Sequence, residues 1–104
     1  MMIHYFELIQ VLIRYADIRI KKQSRRKIIQ QILRGRSDAN IAFSDLVSLL
    51  KSFGFDLRIK GSHHIIRKQD IEEMPNLQKD GNKAKPYQVK QVRDLIVKYQ
   101  LGDK

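Results

Sequence analysis

The stretch Phe55-Asp56-Leu57-Arg58-Ile59-Lys60-Gly61-Ser62-His63-His64-Ile65-Ile66-Arg67-Lys68 decides how the rest of the chain must fold. From Phe55 the apolar residues recur with period two. Phe55, Leu57 and Ile59 point one way and Asp56, Arg58 and Lys60 the other, as in a half-buried strand. Gly61-Ser62 breaks the run without steric penalty, so the spacing predicts a tight hairpin whose second strand covers His63 to Lys68. Two of the chain's three histidines then stand at a strand start among Arg58, Lys60, Arg67 and Lys68. Imidazole, with an unperturbed pKa of about 6.5, exchanges protons near neutral pH, and cations attract phosphate. The combination points to chemistry on a phosphodiester. Strand parity leaves two choices of imidazole. His63 shares a face with Ile65 and Arg67, His64 with Ile66 and Lys68, and the two isoleucines are equally apolar.

Upstream of this hairpin, Ser44 is placed to cap a helix in which Leu46, Leu49, Leu50 and Phe53 follow an i, i+3, i+4, i+7 stripe that Gly54 stops. Earlier still, Ser24 precedes a helix expected over Arg25 to Arg34, with Ile28, Ile29, Ile32 and Leu33 as its apolar stripe and Gly35 to Asn40 as the loop after it. Downstream, Gln69-Asp70 reads as a turn and Ile71 to Leu77 as a third strand, bent or at an edge because Pro75 cannot donate to a ladder. Lys79 to Lys85 reads as a polar loop around Asp80-Gly81-Asn82. Pro86 then opens a last helix that turns Val89, Val92, Leu95, Ile96 and Tyr99 inward, with Gly102 beyond its end. The fold class is α+β: helix, three antiparallel strands, helix, preceded by one or two further helices. Two helices lie on one face of a small sheet and the other face is open.

A chain of 104 residues accommodates one domain with a single hydrophobic core. Lys and Arg number 21 against 11 Asp and Glu, a formal charge of +10, which favours polyanionic partners, nucleic acid first. An anionic membrane or an acidic protein would be drawn by the same charge. The absence of cysteine excludes a disulfide framework and any thiolate metal site. In Met1 to Ile20 the polar residues His4, Glu7, Gln10, Arg14 and Asp17 recur along one side of a helix, leaving a broad apolar face opposite. With little cation excess on the polar side, packing within the protein or self-association through residues 1–20 is preferred to membrane binding. Met1 to Ile13 is interrupted by polar residues and too short to span a bilayer, so neither a signal peptide nor a transmembrane helix is expected. The basic run Lys21 to Lys27 is a solvated helix start or a phosphate contact; its cations sit at the positive end of a helix dipole, which disfavours them there.

The chain resembles the HicA toxins of bacterial toxin–antitoxin pairs, small ribonucleases with a fold like the double-stranded-RNA-binding domain. The resemblance runs from about Phe43 to Leu101. It is carried by Asp45-Leu46-Val47-Ser48-Leu49-Leu50, Gly54-Phe55, Arg58-Ile59-Lys60-Gly61-Ser62-His63-His64, and the helix Gln88-Val89-Lys90-Gln91-Val92-Arg93-Asp94-Leu95-Ile96. It implies an α-β-β-β-α core over residues 41–104 with residues 1–40 as a helical arm or extension, action on mRNA in the cytoplasm, a role in stress response, and a HicB-like antitoxin that covers the nuclease face and contacts DNA. In this family the histidine directly after Gly-Ser is the usual catalytic residue, and an aromatic often lies three positions later on the core side. That position is Ile66 here, which would turn His63 outward. The family's Pro-His-His-like motif in or after the third strand is replaced by Met74-Pro75-Asn76-Leu77, followed by the Lys79 to Lys85 loop.

The leading expectation is a metal-independent endoribonuclease in which the RNA's own 2′-hydroxyl attacks the adjacent phosphate. His63 moves the proton, His64 assists or positions it with Ser62 and the Gly61 backbone, Arg58, Lys60 and Arg67 stabilise charge on phosphorus, and these cations with Gly61, Ser62 and Lys68 bind RNA. No cofactor and no metal are expected. A non-catalytic module holding A-form RNA through the same basic face explains the charge equally well but gives no reason for adjacent histidines after Gly-Ser. A DNA-reading helix over Tyr87 to Tyr99 conflicts with that segment's apolar stripe. A zinc site conflicts with His63 and His64 pointing to opposite faces of a strand.

Overall fold

A computed structural model of the chain describes residues 25–103. The amphipathic helix expected over Met1 to Ile20, its self-association face, Lys21 and Lys22 of the basic run and the Ser24 cap lie outside the described residues. Residues 25–34 are helical (α1), followed by a 3₁₀ turn at Asp38–Asn40 and the helix α2 at Phe43–Ser52. Strands β1 (Asp56–Lys60), β2 (His63–Arg67) and β3 (Asn76–Leu77) form one antiparallel sheet in that order. A second, two-stranded ribbon pairs β4 (Lys79–Asp80) with β5 (Lys83–Ala84), and α3 (Pro86–Tyr99) closes the domain. The architecture is α+β with an α-β-β-β-α order behind one further helix.

One core unites these elements. Ile32 of α1, Leu46, Leu49 and Leu50 of α2, Ile66 and Leu77 of the sheet, and Val89, Val92, Leu95 and Ile96 of α3 are all buried in it. The stripes at helical spacing therefore do what their period requires, each presenting one face to the sheet. Proline at the start of α3 supplies a preset φ where no intrahelical N–H bond is needed. The helix ends at Gln100 in the left-handed conformation, φ +52°, whose N–H returns to the carbonyls of Ile96 and Val97. On α1, Ile32 is buried while Leu33 remains 45% exposed, so the stripe is narrower than its sequence suggests.

Besides this apolar packing, Arg93 of α3 ties down the end of α1 and the turn after it. Arg93 makes a two-pronged bond to Asp38, at 2.9 and 3.1 Å, and donates to the carbonyl of Ile32 at 3.1 Å. The hydrogen bond to Asp38, then its charge, raises the guanidinium pKa. Gly35, at φ +69°, lies beneath this guanidinium, which a Cβ would meet at 3.3 Å.

Three expectations are corrected. Ser44 is not the cap of α2. The helix begins at Phe43, whose N–H bonds the Asn82 carbonyl at 3.0 Å, so the ribbon satisfies a donor that a side chain would otherwise serve. The third strand does not run from Ile71 to Leu77 but pairs only through Asn76 and Leu77. Pro75 is buried, and its carbonyl accepts from the Ile66 N–H at 3.0 Å just before the ladder begins. The Lys79 to Lys85 segment is not an open loop. Gly81, at φ +61°, makes a tight turn between β4 and β5, and Ala84 bonds the carbonyl of Ile41, so the ribbon is held against the segment entering α2.

Candidate active site

The hairpin turn determines where the histidines go. Gly61 has φ +63° and Ser62 a negative φ, the type II′ arrangement that matches strand twist and needs glycine first. The register then pairs Lys60 with His63, Arg58 with Ile65 and Asp56 with Arg67 on one face, and Ile59 with His64 and Leu57 with Ile66 on the other. Ile66 is 2% exposed. Burying it fixes the parity that the two isoleucines left open: His63 faces the open side of the sheet and His64 faces the helices.

On the open face, His63, Arg58, Lys60 and Arg67 are all exposed. None of the three cations enters an ion pair among the described residues, so their charge is free for an anionic ligand. Lys68 is set apart from them. Its ammonium donates to the carbonyl of Phe53 at 2.7 Å, closing the C-terminal end of α2. His64 is half-buried, with its ring edge-on to Phe43 at 4.8 Å between centroids and 73° between planes. Its Nδ1 is buried without a hydrogen-bond partner. Its other surroundings, Ser62, Gln78, Lys79 and Lys85, line a hollow of about 300 Å³. Burial thins towards the turn, from Phe55 just before β1 at 4% exposed to Ile59 within it at 62%, so the hairpin tip projects past the helices.

His63 is held by two amides that the sequence did not single out. Its Nδ1 lies 3.0 Å from Asn76 Oδ1 and its Nε2 lies 3.4 Å from Gln78 Nε2. An amide oxygen only accepts and an amide nitrogen only donates. The ring is therefore the Nδ1–H tautomer, with the Nε2 lone pair directed at Gln78. Gln78 Nε2 also donates to Ser62 Oγ at 3.4 Å, and Lys85 donates to Gln78 Oε1 at 3.2 Å. Beneath them, fully buried Gln88 anchors both arms: its Oε1 accepts from the Gln78 backbone N–H at 3.3 Å and its Nε2 donates to the Asn76 carbonyl at 3.2 Å. A buried amide with its partners supplied is rigid, so Gln88 fixes the backbone of the two residues whose exposed amides hold the imidazole. An open cleft of about 390 Å³ adjoins it, lined by Met74, Tyr87 and Gln91 as well as by His63.

Chemically, an exposed imidazole in a defined tautomer, whose Nε2 lone pair is held only by the 3.4 Å contact to Gln78, can take a proton from a hydroxyl once that amide gives way, and the flanking cations can hold a charged phosphorus centre. Among the described residues no group of three or more His, Asp or Glu side chains is arranged to hold a metal ion. Gln88 was the one supporting residue with a signal in the sequence. It lies four and seven positions before Val92 and Leu95, on the buried stripe, where an amide must find partners. Asn76 and Gln78 carried no such signal.

Compared with known proteins, the chain matches the family model described as the HicA toxin of bacterial toxin–antitoxin pairs over residues 43–98, a span holding α2, the sheet, the ribbon and nearly all of α3. Neither the curated proteins nor the solved structures yield a match. Among the described residues no helix is long and apolar enough to cross a membrane.

Proposed function

The chain belongs to the HicA family, toxins of bacterial toxin–antitoxin systems, and from that premise we propose that it is a metal-independent endoribonuclease that cleaves mRNA with His63 as its proton-transfer group. Membership implies an antitoxin partner; we take it to resemble HicB and to cover the open face, and we take the site of action to be the cytoplasm. Residues 41–104 form the ribonuclease unit, with residues 1–40 as an extension whose described part is seated through Ile32 and Arg93.

The observation that carries the reading is His63 itself. It is exposed, fixed as the Nδ1–H tautomer by Asn76, and stands directly across the strands from Lys60. In the proposed step Nε2, released from Gln78, accepts the proton of a 2′-hydroxyl while that oxygen bonds to the adjacent phosphorus. The bond from phosphorus to the 5′-oxygen breaks, and the departing oxygen takes a proton from water. The products are a 2′,3′-cyclic phosphate and a 5′-hydroxyl. Lys60, opposite His63, and Arg58, one pair further along the same face, stabilise the extra negative charge on the phosphoryl oxygens, and Arg67 holds the RNA beyond them. With one placed imidazole serving as base and water as acid, the enzyme is slow. A non-catalytic RNA-binding module would present the same cations but would not need a histidine oriented at both ring nitrogens.

Purified protein incubated with RNA in excess EDTA, beside His63→Ala and His64→Ala versions, tests the proposal. Cleavage should survive chelation and leave cyclic phosphate ends. His63→Ala should lose about 10²–10⁴-fold in rate while still binding RNA. His64→Ala should mainly alter stability, since its ring packs on Phe43. A His63→Ala protein that cuts at the parent rate, or cleavage abolished by EDTA, overturns the mechanism.

A further inference from the structure

We infer that the cleft beside His63 is a nucleobase subsite in which Tyr87 stacks on the base next to the phosphate presented to the imidazole; this rests on the RNA reading above. The cleft measures about 390 Å³ and is bounded by His63, Met74, Asn76, Gln78, Tyr87 and Gln91, a size typical of small-ligand sites. Tyr87 and Met74 are 56% and 60% exposed, although the domain beneath them has a complete core. Tyr87 is also pinned. Its hydroxyl accepts from Nε2 of buried Gln88 at 3.3 Å, the same amide that holds the Asn76 carbonyl and so the support of His63. Ring and imidazole are thereby tied to one buried residue, and an aromatic held at its hydroxyl loses little freedom when a base stacks on it.

Charge decides that the cleft takes a base and not the sugar–phosphate backbone. On one side of Gln78, Lys79 and Lys85 line the neighbouring hollow with Ser62 and His64. On the other side, past Met74 and Gln91, the next hollow of about 310 Å³ carries Glu73 and Asp94, and its Lys98 is paired to Glu73 at 3.4 Å. A phosphate is attracted to the first and repelled from the second. The backbone therefore leaves on the side of Lys79 and Lys85, away from Glu73 and Asp94, and the uncharged base turns into the cleft between. There the amides of Gln91 and Asn76 offer donors and acceptors to its edge, the usual mode of single-strand recognition in RNA.

The test uses tetranucleotides of 2′-fluoro RNA, which lack the attacking hydroxyl at every position and so report binding whether or not the protein cleaves RNA. An abasic nucleotide is placed at each position in turn, and affinity is read by fluorescence anisotropy at fixed low salt. One position should weaken binding by roughly 5- to 150-fold, the range for one stacked base. In Tyr87→Ala that position should no longer matter, whereas Tyr87→Phe, which keeps the ring and loses only the bond from Gln88, should retain the position effect at reduced size; circular dichroism confirms that both variants are folded. Affinity indifferent to every base, or a position effect that persists in Tyr87→Ala, overturns the subsite, as it would if the cleft instead received an apolar side chain of a protein partner. Cleavage without a position effect refutes the subsite alone. A position effect without cleavage refutes the nuclease and leaves the subsite standing.

Discussion

Replacing Asn76 by alanine probes whether the geometry around His63 produces the activity. The substitution removes the acceptor that lies 3.0 Å from Nδ1 and leaves the Asn76 backbone carbonyl, which holds Gln88, in place. Without that acceptor the ring can turn or move its proton to Nε2, and either change hides the lone pair. A neutral hydrogen bond contributes about 0.5–1.5 kcal/mol net, so the competent ring population should fall by roughly 2- to 13-fold, since 1.4 kcal/mol is a factor of ten. Cleavage should fall by the same factor, well short of the 10²–10⁴-fold loss expected on removing the imidazole. Because the Asn76 side chain is exposed, stability should fall by no more than that one bond contributes, about 0.5–1.5 kcal/mol. Single-turnover cleavage of an end-labelled oligonucleotide measures the rate, and a thermal melt measures stability. Asn76→Asp retains an acceptor and should recover most of the rate. In a His63→Ala background the Asn76 substitution should have no further effect, because the two act as one unit. Full activity in Asn76→Ala, or a loss that simply adds to that of His63→Ala, would show that the amide does not orient the ring.

Other outcomes follow from the same structure. RNA affinity should fall steeply with salt, and Arg58→Ala or Lys60→Ala should each lower the slope of log affinity against log salt by about 1. Lys68→Ala should leave that slope unchanged and lower stability instead, because its ammonium is engaged with the Phe53 carbonyl; an equal drop in slope would place Lys68 on the RNA face. Arg93→Ala removes the two-pronged bond to Asp38 from a side chain only 21% exposed and should cost about 1–3 kcal/mol, or ~4–8 °C in Tm per kcal/mol for a domain of this size; an unchanged melt would show that α1 is held without it. The Tyr99 hydroxyl, 2.7 Å from Glu73, holds that carboxyl below its ordinary value with help from Lys98, whose own pKa the Glu73 charge raises. The Glu73 contribution to stability is therefore complete above the unfolded carboxyl value of about 4.3 and lost as pH falls through the lower folded value. That of Lys98 is complete below about 10.4 and lost as pH rises through its higher folded value. Glu73→Gln should flatten the acid limb of Tm against pH; an unaltered limb would show that the contact carries no linkage.

The sequence by itself determined the elements whose signals are local. The stripe of Leu46, Leu49 and Leu50, the alternation through β1, the Gly61-Ser62 turn and Pro86 at the start of α3 each state a periodicity or a backbone preference within a few residues, and each element formed where its signal lies. The basic hairpin with its two histidines was legible for the same reason. Tertiary structure decided what depends on partners distant in the chain. Ile65 and Ile66 are chemically alike, so only the packing of Ile66 against the helices, with 2% of it exposed, could turn His63 outward. Most of the stretch from Ile71 to Leu77 failed to pair as a strand, and the polar stretch after it did pair, because Asn82 and Ala84 find their bonds on the segment entering α2. Asn76 reaches His63 only because β3 pairs with β2 in the register that sets Ile65 opposite Asn76. That register is fixed by burying Leu77 and Ile66 together, a condition imposed by the whole core and written in no single segment.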